Sequence, residues 1–335
     1  MAAKRPTIYD VAKAAGVSKS LVSLVLQSSP KVGEDSRRAV EAAIAELGYR
    51  PSRAASNLAA GRTKLVGVLI DDYTNLWFVD LVRGLHAALG PRGYRLSVVD
   101  VATADQAEHP VESFLSMRVD GMVVGMDPPN ALTDGGLPPV VVAGTRRAPD
   151  EHVVDNFDSV ANDDAEGARL VAKHLVALGH ADLGHLSVGS GAAQVRRAAF
   201  EDRARESGAR VVSTPYAGPA TDEAGYSTAA TLLVDHPEIT AIFAANDVMA
   251  VGALAAARDA GRVVPDDLSI VGYDDTSLAS SKLIGLTTVD DRSFDVGVAA
   301  GTLLADRMEG SAADPVAKVL EPTLTVRRTC GPRAK

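Results

Sequence analysis

The chain has 335 residues, 46% of them hydrophobic and only 4% aromatic, with a formal net charge of −9. Its single cysteine, Cys330, excludes an internal disulfide framework and fits a reducing compartment. No apolar run is long enough to span a bilayer, and the amino terminus leads into a polar helix without an export-type apolar core, so a cytoplasmic protein with no membrane partner is expected.

Charge is unevenly spread. Up to residue 64 there are eleven Lys+Arg against five Asp+Glu, a net of +6, while the remainder nets −15. A basic end on an acidic body points to a polyanion partner for that end alone.

The basic end has a pattern of its own. Thr7 followed by Asp10, ahead of Val11, Ala14 and Ala15, is a helix-start signature, because hydroxyl and carboxylate satisfy orphan backbone donors. Gly16-Val17 stops this first helix, and Ser18 caps a second that runs to about Gln27. Leu21, Val22, Val25 and Leu26 form its inward stripe and leave Lys19, Ser20, Ser23 and Leu24 facing outward. A third helix, roughly residues 35–47, buries Val40, Ala43, Ile44 and Leu47 and ends at Gly48. Two helices joined at a glycine turn and braced by a third make a helix-turn-helix.

Beyond residue 64, short β-rich runs alternate with helical patterns. Residues 65–70, 96–99, 121–124, 140–142, 183–188, 241–243 and 269–271 read as buried parallel strands. Helices such as Leu81–Leu89, Ala165–Leu178 and Val248–Ala260 lie between them. The alternation implies doubly wound α/β layers with right-handed crossovers. The length exceeds one comfortable core, so two lobes are expected.

Enzymatic patterns are missing. Gly189-Ser190-Gly191 follows a strand but lacks the third glycine of a dinucleotide fingerprint, and there is no phosphate loop, HExxH or paired-cysteine motif. No catalytic residue, metal or cofactor is therefore expected. A free-standing solute-binding protein is the other rival, and it would need an export signal.

The run TIYDVAKAAGVSKSLVSLVLQ, followed by VEAAIAELGYRPSRAASNLAAGRTKLVGVLI, strongly resembles the lac-repressor (LacI/GalR) family of bacterial transcription regulators. Further stretches fit in order and spacing: residues 75–78, 119–121, 174–180, 246–250, 271–275 and 286–289. The resemblance covers essentially the whole chain. It implies a helix-turn-helix over residues 1–50, a hinge helix and linker over 51–63, and an effector and dimerisation domain over 64–335. That domain is expected to have the topology of periplasmic sugar-binding proteins. Lobe 1 would comprise about 64–162 and 292–320, and lobe 2 about 163–291 and 321–335, with three crossings near 163, 291 and 321.

Resemblance places the second helix in the major groove, with Lys19, Ser20 and Leu24 at base-reading positions and Thr7, Ser18 and Ser23 as further DNA-facing candidates. Lysine can donate to guanine acceptors or phosphate, whereas leucine offers only apolar contact, for example to a thymine methyl. Leu24 stands where relatives often carry a polar residue, and its alternative is to pack inward. In the hinge, Leu58 sits where the family inserts an apolar wedge into the minor groove, flanked by Ala55. Ser52 and Ser56 depart from the pattern, so Arg53 or Arg62 is expected to take over phosphate contacts.

In the cleft, resemblance singles out Trp77, Phe78, Asn162, Arg196, Asn246, Asp274 and Asp291 as effector-binding. An indole face suits the C–H face of a sugar. Arginine supplies a rigid fork of donors, for which Arg197 competes with Arg196, and aspartate accepts from paired hydroxyls. Asn162 replaces a frequent aspartate, with Asp163 beside it, and Asp291 a frequent glutamine. Asp247 is expected to cap the helix after Asn246, and a turn with Asp275 is the alternative use of Asp274.

The expectation is a bacterial, nucleoid-associated repressor acting as a homodimer on double-stranded, pseudopalindromic operator DNA, since one helix-turn-helix reads only a half-site. A small-molecule effector, a sugar or polyol, would control it; the alternative is a co-repressor-dependent regulator sensing a nucleoside or purine. Without heptads after Arg328, a coiled-coil tetramer is not expected.

Overall fold

The computed structural model describes residues 6–26, 29–49, 62–101, 110–126, 132, 137–144, 157–189 and 191–333. Two compact units emerge, Met1–Lys64 and Leu65–Lys335.

In the first unit, α1 (Ile8–Ala14) opens as its sequence dictates: the Asp10 carboxylate accepts from the Thr7 amide at 2.8 Å and from the Thr7 hydroxyl at 2.7 Å. Gly16 takes the left-handed conformation, φ 67°, that lets the chain reverse into α2 (Lys19–Leu26). There the Ser18 hydroxyl accepts from the Leu21 amide at 3.2 Å. Helix α3 (Glu34–Leu47) ends at Gly48, also left-handed. The core comprises Val11, Ala12, Val22, Val25, Val32, Val40 and Ala43, with Ile44 and Leu47 only half-buried against it. Leu24 differs from its outward expectation: it is half-buried and packs on this core, because a leucine beside Val25 gains more by covering apolar surface than by standing in water.

The second unit contains two parallel sheets. The first has the order β11-β5-β4-β3-β1-β2, built from β1 (Leu65–Ile70), β2 (Arg95–Asp100), β3 (Gly121–Val124), β4 (Val140–Ala143), β5 (Asp158–Asn162) and β11 (Ala317–Leu320). The second has the order β7-β6-β8-β9, from β6 (Asp182–Val188), β7 (Arg210–Tyr216), β8 (Ala241–Ala244) and β9 (Ser269–Val271). Every pairing within these sheets is parallel. Central strands β3, β4 and β8 are buried along their whole length, which is why they read as continuous apolar runs. One departure is a small antiparallel pair, β10 (Thr288–Asp290) with β12 (Thr323–Thr325).

Helices cover both sheets: α4 (Leu76–Leu89), α5 (Pro110–Ser116) and α10 (Ser293–Met308) on the first, α6 (Asp164–Ala177), α7 (Ala192–Glu206), α8 (Asp222–Asp235) and α9 (Asp247–Asp259) on the second. The chain leaves the first sheet after β5, returns to it after β10 and leaves it again after β11. Where α4 crosses α10, Gly84 and Gly297 face each other so closely that a Cβ on either would overlap the other helix's backbone. Among the described residues no helix is long and apolar enough to cross a membrane.

Candidate functional site

On the DNA-reading unit, Lys19, Ser20 and Ser18 are exposed, Ser23 is half-buried, and Thr7 is exposed at the start of α1. The Lys19 ammonium lies 5.0 Å from the centre of the Tyr9 ring and donates to the Tyr9 hydroxyl at 3.4 Å. Tyr9, 65% exposed, therefore shares one outward face with Lys19, a neighbour that sequence spacing did not single out. Arg53, Ala55 and Leu58 lie outside the described residues.

In the second unit, a cavity of about 460 Å³ opens between the two sheets. Its wall is assembled from chain segments that leave the carboxyl ends of strands: Asp71 and Asp72 after β1, Gly144 after β4, Asn162 ending β5, Val188 ending β6, Ala217–Ala220 after β7, Asn246 after β8 and Asp274 after β9. Parallel sheets open their crevices at that edge, because each crossover loop there leads toward a helix start. Trp77 enters from the first turn of α4, Asp164 from that of α6, and Arg196 from the second turn of α7.

Arg196 forms the floor. Its Nε donates to Asp164 Oδ1 at 2.7 Å and its Nη1 to the Ala245 carbonyl at 2.6 Å, with Asp274 Oδ1 at 3.5 Å. The guanidinium lies 3.8 Å from the centre of the buried Tyr273 ring. Burial works against its charge, but Asp164 and Asp274 outweigh burial and hold its pKa above the ordinary arginine value. A guanidinium fixed on one side by a carboxylate, at one end by a carbonyl and below by a ring is preorganised. It presents donors to a ligand without first losing side-chain freedom.

Asp274 and Asp275 both have positive φ, 97° and 45°. Two consecutive non-glycine residues in this region are strained, and the surroundings must hold them there. The Asp274 amide donates to the Val289 carbonyl at 2.9 Å, and the Asp275 carboxylate accepts from Arg327 at 2.6 Å. The turn thus aims Asp274 into the cavity, while Asp275 anchors it.

Three expectations need correction or refinement. Phe78 does not line the cavity: it is 2% exposed, belongs to the core under the first sheet, and meets Trp77 edge-on at 5.1 Å. Adjacent helical residues point about 100° apart, so with Trp77 turned to the opening, Phe78 is turned into the core. Asp291 is fully buried behind the wall, accepting from Trp77 Nε1 at 2.7 Å and from the Ser293 amide at 3.1 Å. Burial, then the neighbouring Asp274, raises its carboxyl well above the ordinary range. It orients the indole rather than lining the cavity. Asp247 is not the cap either: Asn246 caps α9, accepting from the Met249 amide at 2.9 Å. The fully buried Asp247 instead ties down the turn after β9, accepting from the Thr276 amide at 2.7 Å, its hydroxyl at 2.8 Å and the Thr288 hydroxyl at 2.6 Å. Burial, then Asp274, pushes this carboxyl up to about 8.

Trp77, Asn162, Arg196, Asn246 and Asp274 are thus brought together around one cavity, while half-buried Arg197 is not among its lining residues. Asp164, Asp71, Asp72 and Asn75 also line it and were not singled out from the sequence. Asn75 carried a legible signal, an asparagine before a helix, and its side chain accepts from the Trp77 amide. Among the described residues no cluster of three or more metal-ligating side chains occurs.

Residues 7–52 match the model for bacterial regulatory proteins of the lacI family, and residues 172–330 that for a periplasmic binding protein-like domain. A ribose operon repressor from Halalkalibacterium halodurans is 33% identical, over 96% of this chain and 96% of the relative. A LacI-family transcriptional regulatory protein from Corynebacterium glutamicum is 48% identical, covering 81% of this chain and all of the solved one, with a TM-score of 0.73. The lac repressor dimer bound to operator and the anti-inducer ONPF is 28% identical, covering 97% of this chain and 99% of that one, with a TM-score of 0.84.

Proposed function

The chain belongs to the lacI family of bacterial regulatory proteins and is a DNA-binding transcriptional regulator, and we propose that it is a homodimeric repressor controlled by a sugar or polyol held between its two sheets. Residues 1–50 read the operator, 51–63 form the hinge with Leu58 as its wedge, and the remainder senses the ligand. The protein acts in the cytoplasm, where its operator is. The carrying observation is the cavity itself: an indole, a fixed guanidinium and several carboxylate and amide acceptors converge on about 460 Å³ at the strands' carboxyl ends. Neutral polyhydroxylated molecules match this mixture, since each hydroxyl both donates and accepts and the ring's C–H face covers the indole.

Coupling follows from the construction. The wall is drawn from both sheets, so a ligand that bridges them favours one relative arrangement of the sheets. It shifts operator affinity only through unequal binding to the two arrangements, typically by ~1–3 kcal/mol. A thermal-shift screen of monosaccharides, disaccharides, polyols and nucleosides tests the reading, because a ligand selective for the folded state raises its melting temperature. A sugar or polyol hit that also changes operator affinity is expected. A response confined to nucleosides or purines would overturn the sugar assignment.

A further inference from the structure

We propose that Asp275 is a positioning residue that passes the ligand signal on: it makes the ligand-facing Asp274 and the two strands on the connections between the sheets, β10 and β12, move as one block. This rests on reading the cavity as the effector site, and it names the residue through which an occupied cavity acts on those connections.

Asp274 lines the cavity, whereas half-buried Asp275 is not among the lining residues, so one turn spends its two carboxylates in different directions. One Asp275 oxygen accepts from Arg327 Nη2 at 2.6 Å, and the other accepts from the Thr325 hydroxyl of β12 at 3.3 Å. Arg327 extends the grip: its Nη1 donates to the Leu286 carbonyl at 2.8 Å and its amide to the Thr287 hydroxyl at 2.9 Å. The backbone of the same turn holds β10, the Asp274 amide donating to the Val289 carbonyl at 2.9 Å and the Asp275 amide to the Thr288 hydroxyl at 3.4 Å. Strands β10 and β12 pair with each other, Thr288 opposite Thr325 and Asp290 opposite Thr323. Both lie on connections: β10 leads into α10, which covers the first sheet, and β12 follows β11, an edge strand of that sheet.

A ligand that displaces Asp274 has two possible effects. Either the turn relaxes and absorbs the displacement, or the displacement passes to β10 and β12. Positive φ at both Asp274 and Asp275 persists only while the surroundings enforce it, so an unanchored turn would relax. The Asp275–Arg327 bond is charge-assisted and joins side chains only 17% and 21% exposed, which leaves it less screened than a surface pair. With that bond intact, relaxing costs more than moving the strands.

The test uses full-length protein on a genome-selected duplex, with ribose, cellobiose and adenosine as probes, each raised until its effect on anisotropy saturates. The readout is the ratio of operator affinities with and without probe. Saturation cancels any effect of a substitution on ligand affinity, and the ratio cancels any effect on DNA binding itself, so a residue that merely supported the fold would not move it. Asp275→Gly deletes the carboxylate yet suits a φ of 45°, so the anchor is lost without added strain. It is expected to cut the ratio by at least ~threefold, within the range over which single substitutions modulate coupling. Arg327→Leu should do the same, and the double variant no more than either, because both break one link. Asp275→Asn, which keeps an acceptor for Arg327 and tolerates the left-handed region, should retain more of the ratio than Asp275→Gly. A smaller cut in Asp275→Gly, or losses that add in the double variant, would overturn the proposal. If no probe moves wild-type operator affinity, sensing of these probes fails, and the block is judged on ligand-free protein by hydrogen exchange: Asp275→Gly should speed exchange at least ~threefold in both 286–290 and 323–328, and unaltered exchange there would overturn it.

Discussion

Replacing Arg196 by methionine removes the charge while keeping most of the side-chain volume. The consequence can be worked from the floor's geometry. The Arg196 side chain is 9% exposed, that of Asp164 is fully buried and that of Asp274 is 4% exposed, so both carboxylates lose this cation without gaining water. The Ala245 carbonyl loses its donor, and Tyr273 the cation above its ring. Breaking a buried pair from one side destabilises by about 3–5 kcal/mol, because the remaining charge stays desolvated. For a unit of this size, that corresponds to a fall in melting temperature of about 6–20 °C. Calorimetry of the purified variant at pH 7 measures it. The pH dependence has a definite sign. The Asp291 carboxyl is already raised in the folded state, and losing the nearby guanidinium raises it further. A raised folded-state value means stability that is present at low pH and lost as pH rises, so the variant's deficit should shrink as pH falls toward about 4. Arg196→Lys should rescue only part of the loss, since an ammonium lacks the planar fork that meets Asp164 and Ala245 together. A melting temperature within about 2 °C of wild type at pH 7 would refute the claim that Arg196 organises the floor.

Asp247 gives a second pH signature. With a folded value near 8 and an ordinary unfolded value near 4, stability should decline between those limits by an amount on the order of 5 kcal/mol; Asp247→Asn should flatten that part of the curve in denaturant titrations at stepped pH, and an unaltered slope would count against it. Gly84→Ala should destabilise the second unit by about 1–3 kcal/mol, because the added methyl meets backbone of α10 that cannot rotate away, and an unchanged urea midpoint would contradict the helix crossing. In the DNA-reading unit, Lys19→Ala should lower operator affinity by about 1–3 kcal/mol and relax preference at one base pair; an equal loss on all sequences would reduce Lys19 to a phosphate contact. Leu58→Ala should weaken binding and reduce DNA bending in a gel-shift assay, and unaltered bending would remove the wedge.

The central strands were legible because burial on both faces leaves no room for polar residues: residues 65–70, 121–124, 140–142 and 241–243 read as strands and are β1, β3, β4 and β8. Of the edge strands, β2 and β9 were also read, as 96–99 and 269–271, but β7 and β11 were not. Strand β7, Arg210–Tyr216, is exposed or half-exposed throughout, and β11 is exposed over three of its four residues, so neither shows an apolar run or a strict alternation. Strand β5, Asp158–Asn162, does alternate, but two of its three buried positions are Asp158 and Asn162, which hide the pattern. The helix-turn-helix was readable to its caps, because Thr7, Ser18, Gly16 and Gly48 act locally. Site residues divide along the same line. Trp77, Arg196 and Asp274 stood out by type and motif. Asp164 did not, since an aspartate in a first helical turn is ordinarily solvated; only its 2.7 Å contact with a residue 32 positions later distinguishes it. Phe78 and Asp291 show the opposite error, in which motif position pointed to the ligand and packing assigned them to the core and to Trp77.

The central claim is that a ligand in the Trp77–Arg196–Asp274 cavity sets the DNA affinity of the basic amino-terminal unit. Fluorescence anisotropy of full-length protein on a genome-selected duplex, against random competitor and over a range of salt, tests it directly. The account expects a salt-sensitive preference for one pseudopalindrome that shifts by about 5- to 150-fold when the thermal-screen ligand is added, and a shift that disappears in Asp274→Ala while DNA binding persists. No preference for any genomic duplex, or a ligand shift that survives Asp274→Ala unchanged, would contradict it.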